Sequence, residues 1–65
     1  MSSNGIAEHL QHVLSEENIV FEPVALQLIG RSANGSMRDA LSLLDQAIAY
    51  GGDSVNEKEV RAMLG

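Results

Sequence analysis

Apolar residues recur along the first part of the chain at intervals of three and four positions. Between Ile6 and about Glu17 they occupy Ile6, Ala7, Leu10, Val13 and Leu14. Residues with this spacing lie on one face of a helix, so the stretch predicts a first amphipathic helix. Residues 1–5 show no such periodicity. We expect them to be a linker or residues foreign to the native protein, which leaves 6–65 as the folded domain.

The next helix is expected to be the most buried of the set. A short apolar connector, Ile19-Val20-Phe21, leads to Pro23. Proline is favoured at the first position of a helix, because the N–H that it lacks would have no carbonyl partner there. Apolar side chains then cover more than half of the helix circumference: Val24, Ala25, Leu26, Leu28, Ile29 and Ala33.

A third helix is predicted from Met37 to Tyr50, between the helix-breaking pairs Asn34-Gly35 and Gly51-Gly52. At about 100° per residue, one continuous arc of this helix is apolar. The arc contains Met37, Ala40, Leu41, Leu43, Leu44, Ala47 and Ile48. Arg38 falls on the opposite arc, so we expect it to point away from the core and to be free to meet something outside this domain.

Three signals mark the start of a fourth helix. Asn56 suits the N-cap, Glu59 stands three residues later at the capping-box position, and Val55 can pack against Val60 as a hydrophobic staple. No segment alternates with the period of two that is typical of a strand. The sequence therefore predicts an all-α fold, a small bundle of three to four helices. Its predicted core includes Leu10, Val13, Leu28, Ile29, Leu41, Leu44 and Ile48.

Composition limits what such a bundle can do. With 65 residues the chain forms one small domain that buries only about 60% of its unfolded surface, which leaves no room for a deep active site. Four basic residues against nine acidic ones give a formal charge of -5, which argues against direct binding of nucleic acid or an anionic membrane. The chain has no cysteine, which fits a cytoplasmic protein, and no run apolar enough for a signal peptide or a membrane span.

The start of the third helix is the segment with the most specific chemistry. Ser36 is a favoured N-cap, and Asp39 suits the reciprocal capping-box position, with its charge facing the positive end of the helix dipole. Arg38 is then the second helical residue, beside backbone N–H groups without intrahelical partners. Guanidinium, amides and dipole can converge there on one anion, and phosphate suits that geometry best. A solvated surface arginine is the alternative.

Two other groups of polar residues were weighed as sites. His9 and His12, with Glu8 alongside, have a spacing that can serve metal ligation, but both histidines lie off the apolar arc and no third ligand is evident. A solvated helix face is the preferred interpretation, and we expect no metal site. Asp45 has no carboxylate or histidine partner placed near it by the sequence, and is expected to be a surface residue or a contact to a neighbouring domain.

The string GSMRDALSLLDQAIA, residues 35–49, resembles the second sensor motif in the lid of AAA+ ATPases. Its LLDQ portion is most similar to the gamma/tau family of bacterial DNA polymerase III clamp loader subunits. The resemblance implies that Arg38 reaches the γ-phosphate of a nucleotide in an adjoining domain, with Gly35, Ser36 and Asp39 supporting the helix start. It also implies that ATP and magnesium are bound mainly by that adjoining domain. The chain itself contains no phosphate loop and no catalytic residue, so alone it should not hydrolyse ATP.

The resemblance implies partners as well: the adjoining ATPase domain, the other clamp loader subunits and, through the whole assembly, the sliding clamp. The isolated chain is expected to be a monomer. Alternatives are the lid of another AAA+ protein, either replication factor C-like or from a branch-migration motor, and a non-catalytic helical interaction module. Gly52-Asp53-Ser54-Val55 also resembles the attachment motif of acyl carrier proteins, but only eleven residues follow Ser54, where a carrier has about half its domain still to come.

Overall fold

The computed structural model describes residues 3–65, with side chains from residue 5 onward. Four helices occupy most of this range, which confirms the predicted all-α fold. They are α1 (Ser3–Glu16), α2 (Pro23–Ser32), α3 (Met37–Gly51) and α4 (Glu57–Leu64). Within the described residues, no helix is long and apolar enough to cross a membrane.

Helix α1 begins three residues earlier than its apolar stripe. Residues 3–5 form its first turn, although the sequence pattern had set them aside, because the backbone hydrogen bonds of a helix do not depend on apolar side chains. Residues 1–2 of the expected linker lie outside the described residues. The helix ends at Glu16, one residue before the predicted end, and Asn18 reverses the chain with φ 57°.

The expectation that the chain contains no sheet is wrong in one small respect. The apolar connector supplies strand β1 (Val20–Phe21), which pairs in parallel with strand β2 (Ser54–Val55). The Glu22 N–H extends the ladder by donating to the Val55 carbonyl at 2.9 Å. Each strand has only two residues, too few for the alternation of buried and exposed positions that reveals a strand in a sequence.

The core is aliphatic and contains residues from every helix. Its buried members are Ile6, Ala7, Leu10, Leu14, Ala25, Leu26, Ile29, Ala33, Ala40, Leu44, Ala47, Val55 and Val60. Among the predicted core residues Leu10, Ile29 and Leu44 are buried, and Val13, Leu28 and Ile48 are half-buried against the core.

The core prediction is wrong for Leu41, whose residue surface is 39% exposed. Leu41 stands at the edge of the apolar arc of α3, where it lines a surface groove instead of the core. The sequence periodicity identified the apolar arc correctly, but it contains no information about how far neighbouring helices extend over the edge of that arc.

Helix α2 contacts each of the other three helices. Four of its ten residues are buried, Ala25, Leu26, Ile29 and Gly30, the highest proportion among the four helices over their described side chains. This confirms the prediction from its broad apolar face. Helix α3 follows α2 after a short turn. Because α2 is the most buried helix, it holds the start of α3, and with it the candidate site, in place.

Candidate functional site

The candidate site begins at the turn that joins α2 to α3. Asn34 and Gly35 both have positive φ angles, 54° and 84°, so two successive left-handed residues reverse the chain. Asparagine and glycine are the residues that adopt this conformation at least cost, which explains the Asn34-Gly35 pair. The turn brings Ser36 back against the end of α2, where its N–H donates to the Ala33 carbonyl at 3.0 Å.

Ser36 is the N-cap of α3, as the sequence predicted. Its backbone is extended, with φ -95° and ψ 113°, and its Oγ accepts a hydrogen bond from the Asp39 N–H at 3.2 Å. The reciprocal half of the capping box is not formed, because the Ser36 N–H is already bonded to Ala33. Asp39 instead lies exposed in the first turn of α3, where its negative charge complements the helix dipole.

The capped start leaves two amides available. The Asp39 N–H is taken by Ser36, and the Ala40 N–H donates to the Ser36 carbonyl at 2.9 Å. The N–H groups of Met37 and Arg38 have no acceptor among the backbone atoms and side chains that the structure describes. Free amides at a helix start, together with the positive end of the dipole, favour an anion at this position.

Arg38 is exposed, and its guanidinium has no ion-pair or hydrogen-bond partner among the described residues. Arg61 differs in this respect, because its Nε donates to Glu57 Oε2 one turn earlier on α4 at 2.9 Å. Long side chains on a helix generally lean toward its N-terminus, which is the end of α3 at which the free amides lie. This confirms that Arg38 points away from the core, while its ligand remains a matter for proposal.

The arrangement suits a phosphate that is presented from outside the domain. Arg38 and the two free amides supply positive groups from one helix start. Asp39, the nearest described carboxylate in sequence, lies on the same turn. No phosphate loop precedes a helix anywhere in the chain. These residues can hold one face of an anion but cannot by themselves enclose a nucleotide.

A groove lies farther along the same helix, between α3 and the end of α1. It has a volume of about 550 Å³ and is lined by Val13, Glu17, Ile19, Leu41, Ser42, Leu44, Asp45 and Ile48. The hydrophobic pattern did not reveal this surface, because it placed Leu41 in the core. The position of Leu41 at the edge of the apolar arc, beside polar Ser42 and Asp45, was the available signal.

The remaining candidate residues lie on the surface. His9 and His12 are both exposed, and His12 Nε2 lies 3.0 Å from Glu16 Oε1 on the next turn of α1. Among the described side chains, no group of three or more histidines and carboxylates could hold a metal ion. Asp45 is exposed at the groove.

The carrier-like serine does not occupy the position that phosphopantetheine attachment requires. Ser54 lies in β2, where it pairs with Val20, rather than at the opening of a helix. Its Oγ donates to the Gly51 carbonyl at 3.3 Å. The hydroxyl is therefore part of the turn between α3 and β2, which argues against the carrier interpretation.

Comparison with known proteins agrees with this geometry. Residues 5–53, which include the whole Ser36–Arg38 site, match the family described as "DNA polymerase III clamp loader subunit, ATPase lid domain". The chain is 58% identical over 60 residues to DNA polymerase III subunit tau of Salmonella typhimurium and to that of Escherichia coli. It is 35% identical over 65 residues to subunit tau of Bacillus subtilis.

These matches cover nearly all of this chain but little of the relatives. The aligned part is 92% of this chain and 9% of the Salmonella and Escherichia proteins, and it is 100% of this chain and 12% of the Bacillus protein. The family match favours the clamp loader over the other AAA+ lids that the motif left open. From its fold, its capped third helix and these similarities, the chain belongs to the family of ATPase lid domains of DNA polymerase III clamp loader subunits.

Proposed function

We propose that this domain is a nucleotide-sensing lid and that Arg38 is its sensor. The observation that carries the proposal is an exposed arginine at the capped start of α3, beside two free backbone amides and without an ion-pair partner in the described part of the chain. Membership of the ATPase lid family supports it, since the family's description couples the lid to an ATPase.

ATP with magnesium, held mainly by an adjoining ATPase domain of the parent protein, would present the γ-phosphate and would lose it on hydrolysis. Arg38 binds that phosphate from the lid side through charge-assisted hydrogen bonds. The Ser36 cap fixes where α3 begins, and therefore fixes the position of Arg38 along the helix axis. Gly35 and Asp39 support this start through the left-handed turn and the complementary charge.

The core converts a contact at one residue into movement of the whole lid. Ala40, Leu44 and Ala47 bury the opposite face of α3 in the domain, so Arg38 cannot move far without the other helices. The angle between lid and ATPase domain then differs between the ATP and ADP states. In the assembled loader, this change would switch the complex between clamp-binding and clamp-releasing states during DNA replication in the cytoplasm.

The domain alone should neither hydrolyse ATP nor bind it tightly, because it provides one cation and a helix start but no phosphate loop. Its partners are the adjoining ATPase domain, the other loader subunits and, through the assembly, the sliding clamp. The formal charge of -5 argues that other parts of the parent contact DNA.

The test separates stability from activity. Arg38→Ala should change the free energy of unfolding of the 65-residue domain by less than about 0.5 kcal/mol, since the side chain is exposed and has no described partner. In the assembled loader, the same substitution removes a charge-assisted hydrogen bond worth about 1.5 to 3 kcal/mol. That corresponds to about a 10- to 100-fold loss of ATP-dependent clamp loading.

Arg31→Ala is the matched control, because Arg31 is also an exposed arginine, but it lies in the last turn of α2 rather than at the start of α3. It should leave clamp loading unchanged. Arg38→Lys should rescue loading only in part, since lysine keeps the charge without the planar fork of the guanidinium. Wild-type ATP binding, hydrolysis and clamp opening by the Arg38→Ala loader would show that Arg38 is an ordinary surface residue.

A further inference from the structure

The turn between α2 and α3 exposes an asparagine that is followed by glycine. Asn34 and Gly35 are both left-handed, and the Ser36 N–H closes the turn on the Ala33 carbonyl at 3.0 Å. Asn34 is exposed, and its side-chain amide makes no hydrogen bond to a described residue. No interaction of the folded domain therefore occupies this amide.

An asparagine before a glycine can react with its own backbone. The nitrogen of the glycine attacks the side-chain carbonyl carbon, a five-membered succinimide ring forms, and the side-chain nitrogen leaves as ammonia together with the proton of the attacking amide. Water then opens the ring at one of its two carbonyls. One opening gives aspartate, and the other gives isoaspartate, in which the main chain runs through the former side chain. Glycine has no side chain to obstruct the ring closure.

We propose that Asn34-Gly35 is a site of spontaneous deamidation, with water as the only co-reactant. Ring closure requires Asn34 to rotate out of its left-handed conformation, so the reaction proceeds when the turn opens. Two features make that opening easy. The left-handed region is unfavourable for a residue with a Cβ, and surface turns open at the low end of local stability. This inference does not depend on whether Arg38 senses nucleotide.

Either product changes the start of α3. Both add a carboxylate four residues before Arg38, in a domain whose formal charge is already -5. Isoaspartate also lengthens the backbone by one methylene between Ala33 and Gly35. The Ser36 N–H then cannot close the turn on the Ala33 carbonyl in the same register, and this turn positions the N-cap of α3.

Asn18 provides a matched comparison within the chain. Like Asn34 it is exposed, follows a helix and has a positive φ, 57° against 54°. The N–H of each asparagine donates to the carbonyl three residues earlier, at 3.3 Å to Ser15 and at 3.1 Å to Arg31. The residue after Asn18 is Ile19, whose β-branched side chain crowds the nitrogen that would attack. We therefore expect Asn18 to react far more slowly than Asn34.

Peptide mapping of the 65-residue chain, incubated folded in mildly alkaline buffer, tests the proposal. Trypsin cuts after Arg31 and Arg38, so the peptide 32–38 contains Asn34 and no other asparagine. The second asparagine–glycine pair, Asn4-Gly5, falls in peptide 1–31 and does not interfere. Mass spectrometry detects the change from amide to acid, and chromatography separates the isoaspartyl form.

The free synthetic peptide 32–38 sets the rate without a fold. We expect Asn34 in the folded chain to convert no more than about 10-fold more slowly, which corresponds to a local opening of about 1.4 kcal/mol. Asn34→Gln should abolish the conversion, because its longer side chain would have to close a six-membered ring. A folded chain that converts more slowly than this limit, or Asn18 and Asn34 converting at equal rates, would overturn the proposal.

The effect on α3 is measured on the purified isoaspartyl form. Asn34→Asp is the control, because it adds the same charge without lengthening the backbone. The isoaspartyl form should melt about 4 to 8 °C below Asn34→Asp, the shift expected from losing one hydrogen bond in a domain of this size. Equal melting temperatures would overturn the inferred change at the start of α3.

Discussion

Single residues decide where α3 begins and ends, and therefore where Arg38 stands. Ser36 satisfies one amide of the first turn, and the left-handed Gly52 ends the helix by donating its N–H to the Ile48 carbonyl at 3.0 Å. Gly51, although it belongs to the same glycine pair, remains helical. The sequence signal for a helix end was correct, but only the second glycine needs a positive φ.

The cap can be tested with two substitutions at one position. Ser36→Ala should cost about 1 kcal/mol because the Asp39 N–H loses its acceptor, whereas Ser36→Gly should cost only a few tenths. Thermal melts monitored by circular dichroism give both values. Equal destabilisation by the two substitutions would contradict the role of Ser36 as the N-cap.

The two glycines should respond differently to alanine. Gly52→Ala should cost about 1 to 2 kcal/mol, since φ is 62° there, although the space around an added Cβ is open. At Gly51 an added Cβ would meet Glu59 Oε2, a buried oxygen without a hydrogen-bond partner. That carboxylate ends a flexible side chain and can move into water, so Gly51→Ala should be neutral or stabilising by up to about 1 kcal/mol. Chemical denaturation of both variants tests the contrast, and the reverse order of stabilities would contradict it.

At the scale of an element, α3 has two faces of different character. Ala40, Leu44 and Ala47 bury one face in the domain, while Arg38 and Asp45 stand exposed on the other. Leu41 lies between them and lines the groove. The helix is thus held firmly on one side and exposes apolar, acidic and basic side chains on the other.

Two leucines of α3 should show this division directly. Leu44, 3% exposed, leaves a cavity in the core when truncated, so Leu44→Ala should cost about 2 to 5 kcal/mol. That loss is enough to leave most molecules unfolded, since the total stability of a domain of this size is only a few kcal/mol. Leu41→Ala removes a side chain that is already partly in water and should cost less than about 1 kcal/mol. Thermal melts monitored by circular dichroism compare the two variants. Similar melting temperatures would show that the buried face of α3 is misassigned.

At the scale of the whole molecule, contacts between distant segments hold α4 against the rest. Strand β2, just before α4, pairs with β1, and Glu22 Oε1 accepts a hydrogen bond from the Glu57 N–H at 2.6 Å across 35 positions of sequence. Glu22 thus supplies α4 with a second capping acceptor, in addition to Asn56, whose Oδ1 accepts from the Glu59 N–H at 2.9 Å.

Glu22→Ala should therefore destabilise the domain by about 1 kcal/mol, the usual effect of losing a capping acceptor. Glu22→Gln is the matched control, because its side-chain oxygen can still accept from the Glu57 N–H. It should retain most of the stability. Urea denaturation measures both, and an unchanged midpoint for Glu22→Ala would show that this bond contributes nothing in solution.

The features that could be predicted from the amino-acid sequence are those that depend on local interactions. The four helices, the caps at Ser36 and Asn56 and the outward direction of Arg38 follow from side chains within a turn or two of each other, so helical periodicity and capping rules predicted them. Of the two hydrogen bonds expected in each capping box, only one is formed. The cap oxygens accept the expected bonds, but the Ser36 N–H bonds to Ala33, and Glu59 Oε2 turns toward Gly51 instead of pairing.

Features that join segments far apart in the chain could not be predicted in this way. The pairing of β1 with β2, the Glu22 bond to α4 and the groove at Leu41 each join residues separated by more than 20 positions. A hydrophobic pattern shows which side of a helix is apolar, but it does not show which neighbour covers that side or where the cover stops. For this reason the position of Arg38 was predictable, whereas the surface beside it became visible only when the helices were packed together.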